Sequence, residues 1–198
     1  MDYESKSEFF HRPKFSQLFE RKKIIVRRVS GENNRLISVY DDDQFYSNDN
    51  LIHLILWDDE IIELQSPDKI EVYKPYEKFP LDYLAGIIGS KLISYFFNKN
   101  IATGTLQGTY SGVYPEDVRE IPIKMGSKEQ KDELSNLVKQ IVPLNKTLNK
   151  LKIKKSDELA TIEDQINETD KAIDELVYKI YGITENEKKI IEKSFENS

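Results

Sequence analysis

Cysteine is absent from the 198 residues, and histidine occurs only twice. Without thiols there is neither a disulfide framework nor a thiolate metal site, a composition that fits a reducing cytoplasm. His11 and His53 each have one carboxylate nearby in sequence, Glu8 and Asp49. A zinc centre needs more converging ligands, so both read as structural. Glycine is scarce at eight residues, and neither common glycine-rich phosphate loop occurs. Positive charge is in deficit too: 29 Lys+Arg face 35 Asp+Glu, a formal net charge of −6. That balance disfavours tight non-specific binding of nucleic acid, which comes from neutralised phosphates.

Long uninterrupted apolar runs are missing as well. The closest approach is FPLDYLAGIIGSKLISYFF (79–97), which Asp82 and Lys91 interrupt. Leu81, Leu84, Ala85, Ile88, Leu92 and Phe96 fall on one stripe at helical spacing, so a buried amphipathic helix over 81–98 is expected rather than a membrane span. The opening MDYESKSEFF has no basic and apolar signal pattern. The chain reads as soluble and cytoplasmic, with no membrane contact.

Catalytic constellations are likewise wanting. SPDKIEVYK (66–74) has the residue types of a metal-dependent nuclease signature, but Glu71 follows Pro67 and Asp68 too closely and is separated from Lys74 by two residues rather than one. No Ser/His/Asp motif is present. The acidic run Asp41, Asp42 and Asp43 reads as a solvated turn, with a cation site as its rival. Neither a metal nor a cofactor is implied.

What the chain does contain is uneven. Residues 1–40 hold nine Lys/Arg against five Asp/Glu, and residues 41–80 hold three against eleven. KIIVRRV (23–29) and RLISVY (35–40) read as strands joined by the turn-forming SGENN, with Gly31 free to adopt positive φ and Asn33 or Asn34 tolerant of it. QFYSN (44–48) would extend them into a three-strand meander. LIHLIL (51–56), DKIEVYK (68–74) and, more weakly, EIIEL (60–64) are further strand candidates. IATGTLQGTYSGVYPEDVREIPI (101–123) lacks periodicity and reads as a long ordered loop ending in a strand-like REIPI.

From Ser127 onward the texture changes. Leu134, Leu137, Ile141, Leu144, Leu148 and Leu151 recur at alternating steps of three and four, and Leu159 to Ile180 repeat the rhythm. KIKKSD (152–157) is a short polar joint, so the two helices should form an antiparallel hairpin, with a kink at Pro143. Gly182 is a helix stop, and Thr184 with Glu187 is a capping box for one more helix. The fold class is therefore α+β: a mixed β-sheet with a packed helix over 1–125, then a helical spacer over 126–198.

Four co-linear stretches, KIIVRRVSGENNRLISVYDDDQFYSNDNLIHLI (23–55), LDYLAGIIGSKLISYFF (81–97), VYPEDVREIPI (113–123) and IDELVYKIYGITENEKKIIE (173–192), together carry a resemblance. In this order they resemble the TaqI-like C-terminal specificity domain. That is the target-recognition domain of type IIG restriction-modification enzymes and adenine-N6 DNA methyltransferases, similar to type I specificity subunits. The resemblance spans about residues 18–195, with no single diagnostic motif. It departs from the family at GSKL (89–92), where Asn-Ser-Lys-Leu is frequent. The methyltransferase motifs that normally precede such a domain are absent from these residues, so the chain is either an excised domain or a separate specificity subunit.

The resemblance implies a non-catalytic module that reads double-stranded DNA through loops in the major groove. Its partner would be an adenine-N6 methyltransferase, and S-adenosylmethionine would belong to that partner alone. The helical hairpin would act as spacer, docking surface or homo-oligomer contact. Residue chemistry selects the candidate DNA-binding groups: Arg27, Arg28, Asn33, Asn34 and Arg35 around the first loop, and Thr103, Thr105, Gln107, Thr109 and Tyr110 in the second. Arginine pairs bidentately with guanine, and Asn and Gln with adenine. Alternation sends Arg27 and Arg28 to opposite faces, which leaves one of them to pair with an acid such as Asp41 to Asp43. Within the first loop, Arg35 and the two asparagines are favoured over the strand arginines, beside Gln107 and its neighbours in the second. Two rivals stand beside this reading: a protein-interaction subunit working through the helical hairpin, and an enzyme with a carboxylate site at 41–43.

Overall fold

A computed structural model describes residues 16–56, 58–65, 79–102, 105–106, 110–154 and 158–196. After a short helix α1 (Gln17–Glu20) comes β1 (Lys23–Arg27), whose first four residues are buried. Strand β1 is central. It pairs antiparallel with β2 (Ser38–Asp41) on one side and with β3 (Leu51–Leu54) on the other. The order β2-β1-β3 replaces the expected meander, because QFYSN forms no strand and LIHL takes the free edge of β1. Every described pairing is antiparallel, so the α+β class holds with a simpler sheet than the mixed one expected.

EIIEL lies within a helix, α2 (Asp59–Gln65), in place of a strand. Its pattern is short enough to suit either state, and Ile61 and Ile62 are both buried as consecutive helical residues. The candidate DKIEVYK lies outside the described residues.

The single helix expected over 81–98 is two helices, α3 (Leu81–Ile88) and α4 (Lys91–Asn100). Gly89 ends the first, and Ser90 caps the second by accepting from the Ile93 backbone N–H. The break shifts the helical phase. Tyr83, Ile87, Ile93 and Phe97 are the innermost residues, whereas Leu81, Leu84 and Phe96 of the expected stripe are only half-buried. Pro80 precedes the first turn, as anticipated for a helix start.

Beyond α4, the segment read as a long loop contains a two-stranded hairpin, β4 (Thr105–Leu106) with β5 (Tyr110–Ser111). It leads into α5 (Pro115–Arg119), so the strand-like REIPI begins as the end of a helix. Helix α6 (Lys128–Lys154) runs unbroken through Pro143. Helix α7 (Leu159–Tyr181) returns alongside it: Lys152 meets Glu163 at one end, and Lys124 meets Tyr181 at the other. That is the antiparallel hairpin the heptads imply. Gly182 adopts φ 74°, the left-handed stop, and Thr184 exchanges hydrogen bonds with Glu187 at the start of α8 (Glu185–Glu196).

The core is continuous across these elements. Ile24, Val26 and Ile52 of the sheet share it with Tyr83, Ile87 and Phe97, and with Leu134, Val138, Leu176, Val177 and Ile180 of the hairpin. Gly86 lets α3 approach α6 closely, since a Cβ there would lie 2.9 Å from Leu134 Cδ1. Further along the hairpin, Leu144, Leu148 and Leu151 are only half-buried. No described helix is long and apolar enough to cross a membrane.

Candidate nucleic-acid interface

The loop between β1 and β2 is longer than the five residues expected. Strand pairing stops at Val26 with Ser38, and Glu32–Asn34 forms a tight 3-10 turn. Of the three residues expected to accept positive φ, Asn33 and Asn34 both sit at φ 56°, whereas Gly31 does not. Asparagine tolerates this region because its short side chain bonds locally. Gly31 is needed for space instead: a Cβ would come 2.7 Å from Ile37 Cδ1.

Arg35, a favoured DNA reader, faces inward. Its Nη1 and Nη2 bond the two carboxylate oxygens of Asp170, the second at 3.0 Å. Nη2 also reaches Asp174 Oδ1 at 3.2 Å, and Nε donates to the Gly89 carbonyl at 3.0 Å. Burial alone would lower its pKa, but Asp174 and Asp170 more than offset that and raise it. The guanidinium fork is thus used up inside the protein. Asp174 is almost wholly buried, and its Oδ1 also accepts from the Lys91 N–H at the first turn of α4, at 2.8 Å.

The two asparagines are engaged as well. Asn33 Nδ2 donates to the Phe195 carbonyl at 2.7 Å. Asn34 Oδ1 accepts from Ser30 Oγ and from the Ser111 N–H, both at 3.1 Å. These side chains build and anchor the loop. Each amide is held by one of its two polar atoms, Asn33 through Nδ2 and Asn34 through Oδ1, so a base contact would fall to the other atom.

The strand arginines fare differently. Arg27 is exposed at the end of β1 and makes no ion pair among the described residues. Arg28 lies over the Tyr114 ring, 5.2 Å from its centroid, and its Nη1 donates to the Asp49 carbonyl at 3.2 Å. Neither pairs with the aspartate run: Asp41 meets the fully buried Lys23 at 2.7 Å, and Asp43 meets Lys146 at 2.9 Å. His53 is structural here, with Nε2 2.9 Å from Ser47 Oγ and its ring edge-on to Phe19.

Thr105 and Tyr110 are placed by their backbones in the β4–β5 hairpin, while Thr103, Gln107 and Thr109 lie outside the described residues. The structure does bring the two predicted loops together. Val29 bridges Gly112, the Ser30 N–H donates to the Ser111 carbonyl at 3.1 Å, and the Val113 N–H donates to the Arg28 carbonyl at 3.0 Å. Residues 111–113 therefore run antiparallel along 28–30, which sets the β4–β5 hairpin beside the first loop. Ser30, Asn98, Ser111 and Tyr114 were not singled out from sequence. Lone Ser and Asn residues carry no periodic signal, and their role appears only once distant segments meet.

The model of the TaqI-like C-terminal specificity domain matches residues 3–123, more than half of the chain. The chain belongs to that family. The matched span takes in the sheet, α3, α4, both loops and α5, and it ends before α6. The part of the resemblance carried by 173–192 thus lies beyond the match. No curated protein matches the chain. Membership identifies the protein as a specificity domain of the kind that recognises DNA in restriction-modification systems.

Proposed function

We propose that the chain reads a short sequence in double-stranded DNA for an adenine-N6 methyltransferase or restriction system and is non-catalytic by itself. The observation carrying this reading is the junction of the two loops: family membership supplies the task, and the 28–30 to 111–113 pairing supplies one continuous edge for it. Arg27 at that edge suits a phosphate, and Arg28 with Tyr114 offers a charged, planar surface to a base or phosphate. The segment 103–110, which carries Gln107 and the threonines, is the stretch that supplies the base-reading groups. S-adenosylmethionine belongs to the methyltransferase partner, and cytoplasmic DNA is the setting. The outer half of the α6–α7 hairpin, with its half-buried leucines, is the surface for that partner or for a second copy.

Selection from a random duplex library, with and without an adenine methyltransferase partner, tests the reading. Enrichment of a short motif supports it. A library that emerges unenriched in both conditions overturns it and favours the protein-interaction alternative.

A further inference from the structure

Asn98 sits in the last turn of α4, remote from both candidate loops in sequence, yet it touches both. Its Nδ2 donates to the Asn34 carbonyl at 2.8 Å, and its Oδ1 accepts from Ser111 Oγ at 3.0 Å. Ser111 completes the junction from the other side. Its backbone N–H is shared between Ser30 Oγ at 3.0 Å and Asn34 Oδ1 at 3.1 Å. Ser30 and Ser111 are buried, at 2% and 8% exposure. Four polar side chains from three segments therefore satisfy one another, the two serines buried and Asn34 and Asn98 half-buried, where an unmade bond carries a cost.

This arrangement exceeds what holding the fold requires. The backbone pairing of 28–30 with 111–113 already joins the loops, and the apolar core lies beneath. What the side-chain bonds add is a fixed offset of the β4–β5 hairpin relative to the 28–35 loop. A bidentate base contact tolerates little displacement, so two loops that read adjacent bases need a set spacing. We propose that Asn98, acting with Ser111, is a positioning residue for sequence discrimination on duplex DNA, touching no base itself. This rests on the DNA-reading function above.

Three variants of the full chain test it: Asn98→Leu, which removes both bonds, Asn98→Asp, which keeps the acceptor for Ser111, and Ser111→Ala, which keeps the backbone pairing. The measurement is the ratio of affinities for the selected duplex and a scrambled duplex, below the unfolding transition. Asn98→Leu should lower that ratio about tenfold, the worth of one mis-set base contact. Scrambled-duplex affinity and its salt slope should stay within twofold of wild type. Ser111→Ala and Asn98→Asp should fall between. A merely structural role would leave the ratio unmoved. If Asn98→Leu fails to fold, Ser111→Ala alone decides. Ratios within twofold of wild type in every folded variant overturn the positioning role and leave the DNA-reading function intact. If the wild-type chain selects no motif, the reading itself falls, and the positioning role with it.

Discussion

Arg35 Nη2 lies 3.2 Å from Asp174 Oδ1, which fastens the loop after β1 to the middle of α7. Asp170, one turn earlier, takes the rest of the guanidinium. Removing one member of such a pair strands the other, at a cost of roughly 3–5 kcal/mol when burial is complete. Arg35 retains 22% side-chain exposure, so Arg35→Met should fall near the lower end, about 3 kcal/mol by urea denaturation. Its binding to scrambled duplex should keep the wild-type salt slope. A slope flattened by about one unit would instead make Arg35 a phosphate contact.

The same site sets a pH dependence. Burial pushes the Asp174 carboxyl up to about 6, with Arg35 and the Lys91 N–H pulling against it. The unfolded value is 3.8, so between these two the folded chain holds a proton that the unfolded chain has lost. Stability from this group is full below the unfolded value and falls as pH rises through 6, by on the order of 3 kcal/mol. Asp82 works oppositely. Burial raises it, but hydrogen bonds from Lys139, Ser135 and the Tyr83 N–H prevail and hold it below its ordinary value. Its contribution is present above 3.8 and is lost only in stronger acid. Asp174→Asn should therefore flatten the stability profile between pH 4 and 6. Parallel wild-type and variant profiles across that window would refute the assignment.

Lys23 is the least exposed charge among the described residues, at 0%. Its ammonium donates to the Phe19 carbonyl at 2.7 Å and the Asp43 carbonyl at 2.6 Å, and stands 2.7 Å from Asp41 Oδ2. The ion pair and the carbonyls together gather α1, β1 and the turn after β2. Lys23→Met should cost about 3–5 kcal/mol, because it removes the donor shared by Asp41 and the Phe19, Arg21 and Asp43 carbonyls. Adding Asp41→Leu should recover part of that loss. A double variant no more stable than Lys23→Met would show that the stranded carboxylate is not the source of the cost.

Which of these features the sequence disclosed follows from the range of the interactions involved. Strand β1, the Pro80 helix start, the Gly182 stop and the Thr184–Glu187 box rest on neighbours a few residues apart, and all are present. The break at Gly89 and Ser90 escaped because a continuous apolar stripe masks a change of phase. Lys23 escaped because a lone lysine at a strand end ordinarily points to water. The inward pairing of Arg35 escaped because its carboxylate partner is 135 residues away. The two polar loops stood out by their shared composition and lie side by side, but Asn98, which bonds to both, carried no such signal.

The loop arginines and the hairpin should separate affinity from specificity. Arg27 is exposed and free of ion pairs among the described residues, so Arg27→Ala should weaken selected and scrambled duplexes alike and lower the salt slope by about one unit. Gln107→Ala should leave scrambled-duplex binding intact and relax one base position, at roughly 1–3 kcal/mol of discrimination. Arg28 is held between the Asp49 carbonyl and the Tyr114 ring, so its guanidinium is presented in a set orientation. Arg28→Lys keeps the charge but loses the planar fork. If Arg28 only neutralises a phosphate, the lysine variant should bind like wild type. If it reads a base, discrimination should drop while the salt slope stays, and titrations of the two variants at three salt concentrations distinguish these outcomes.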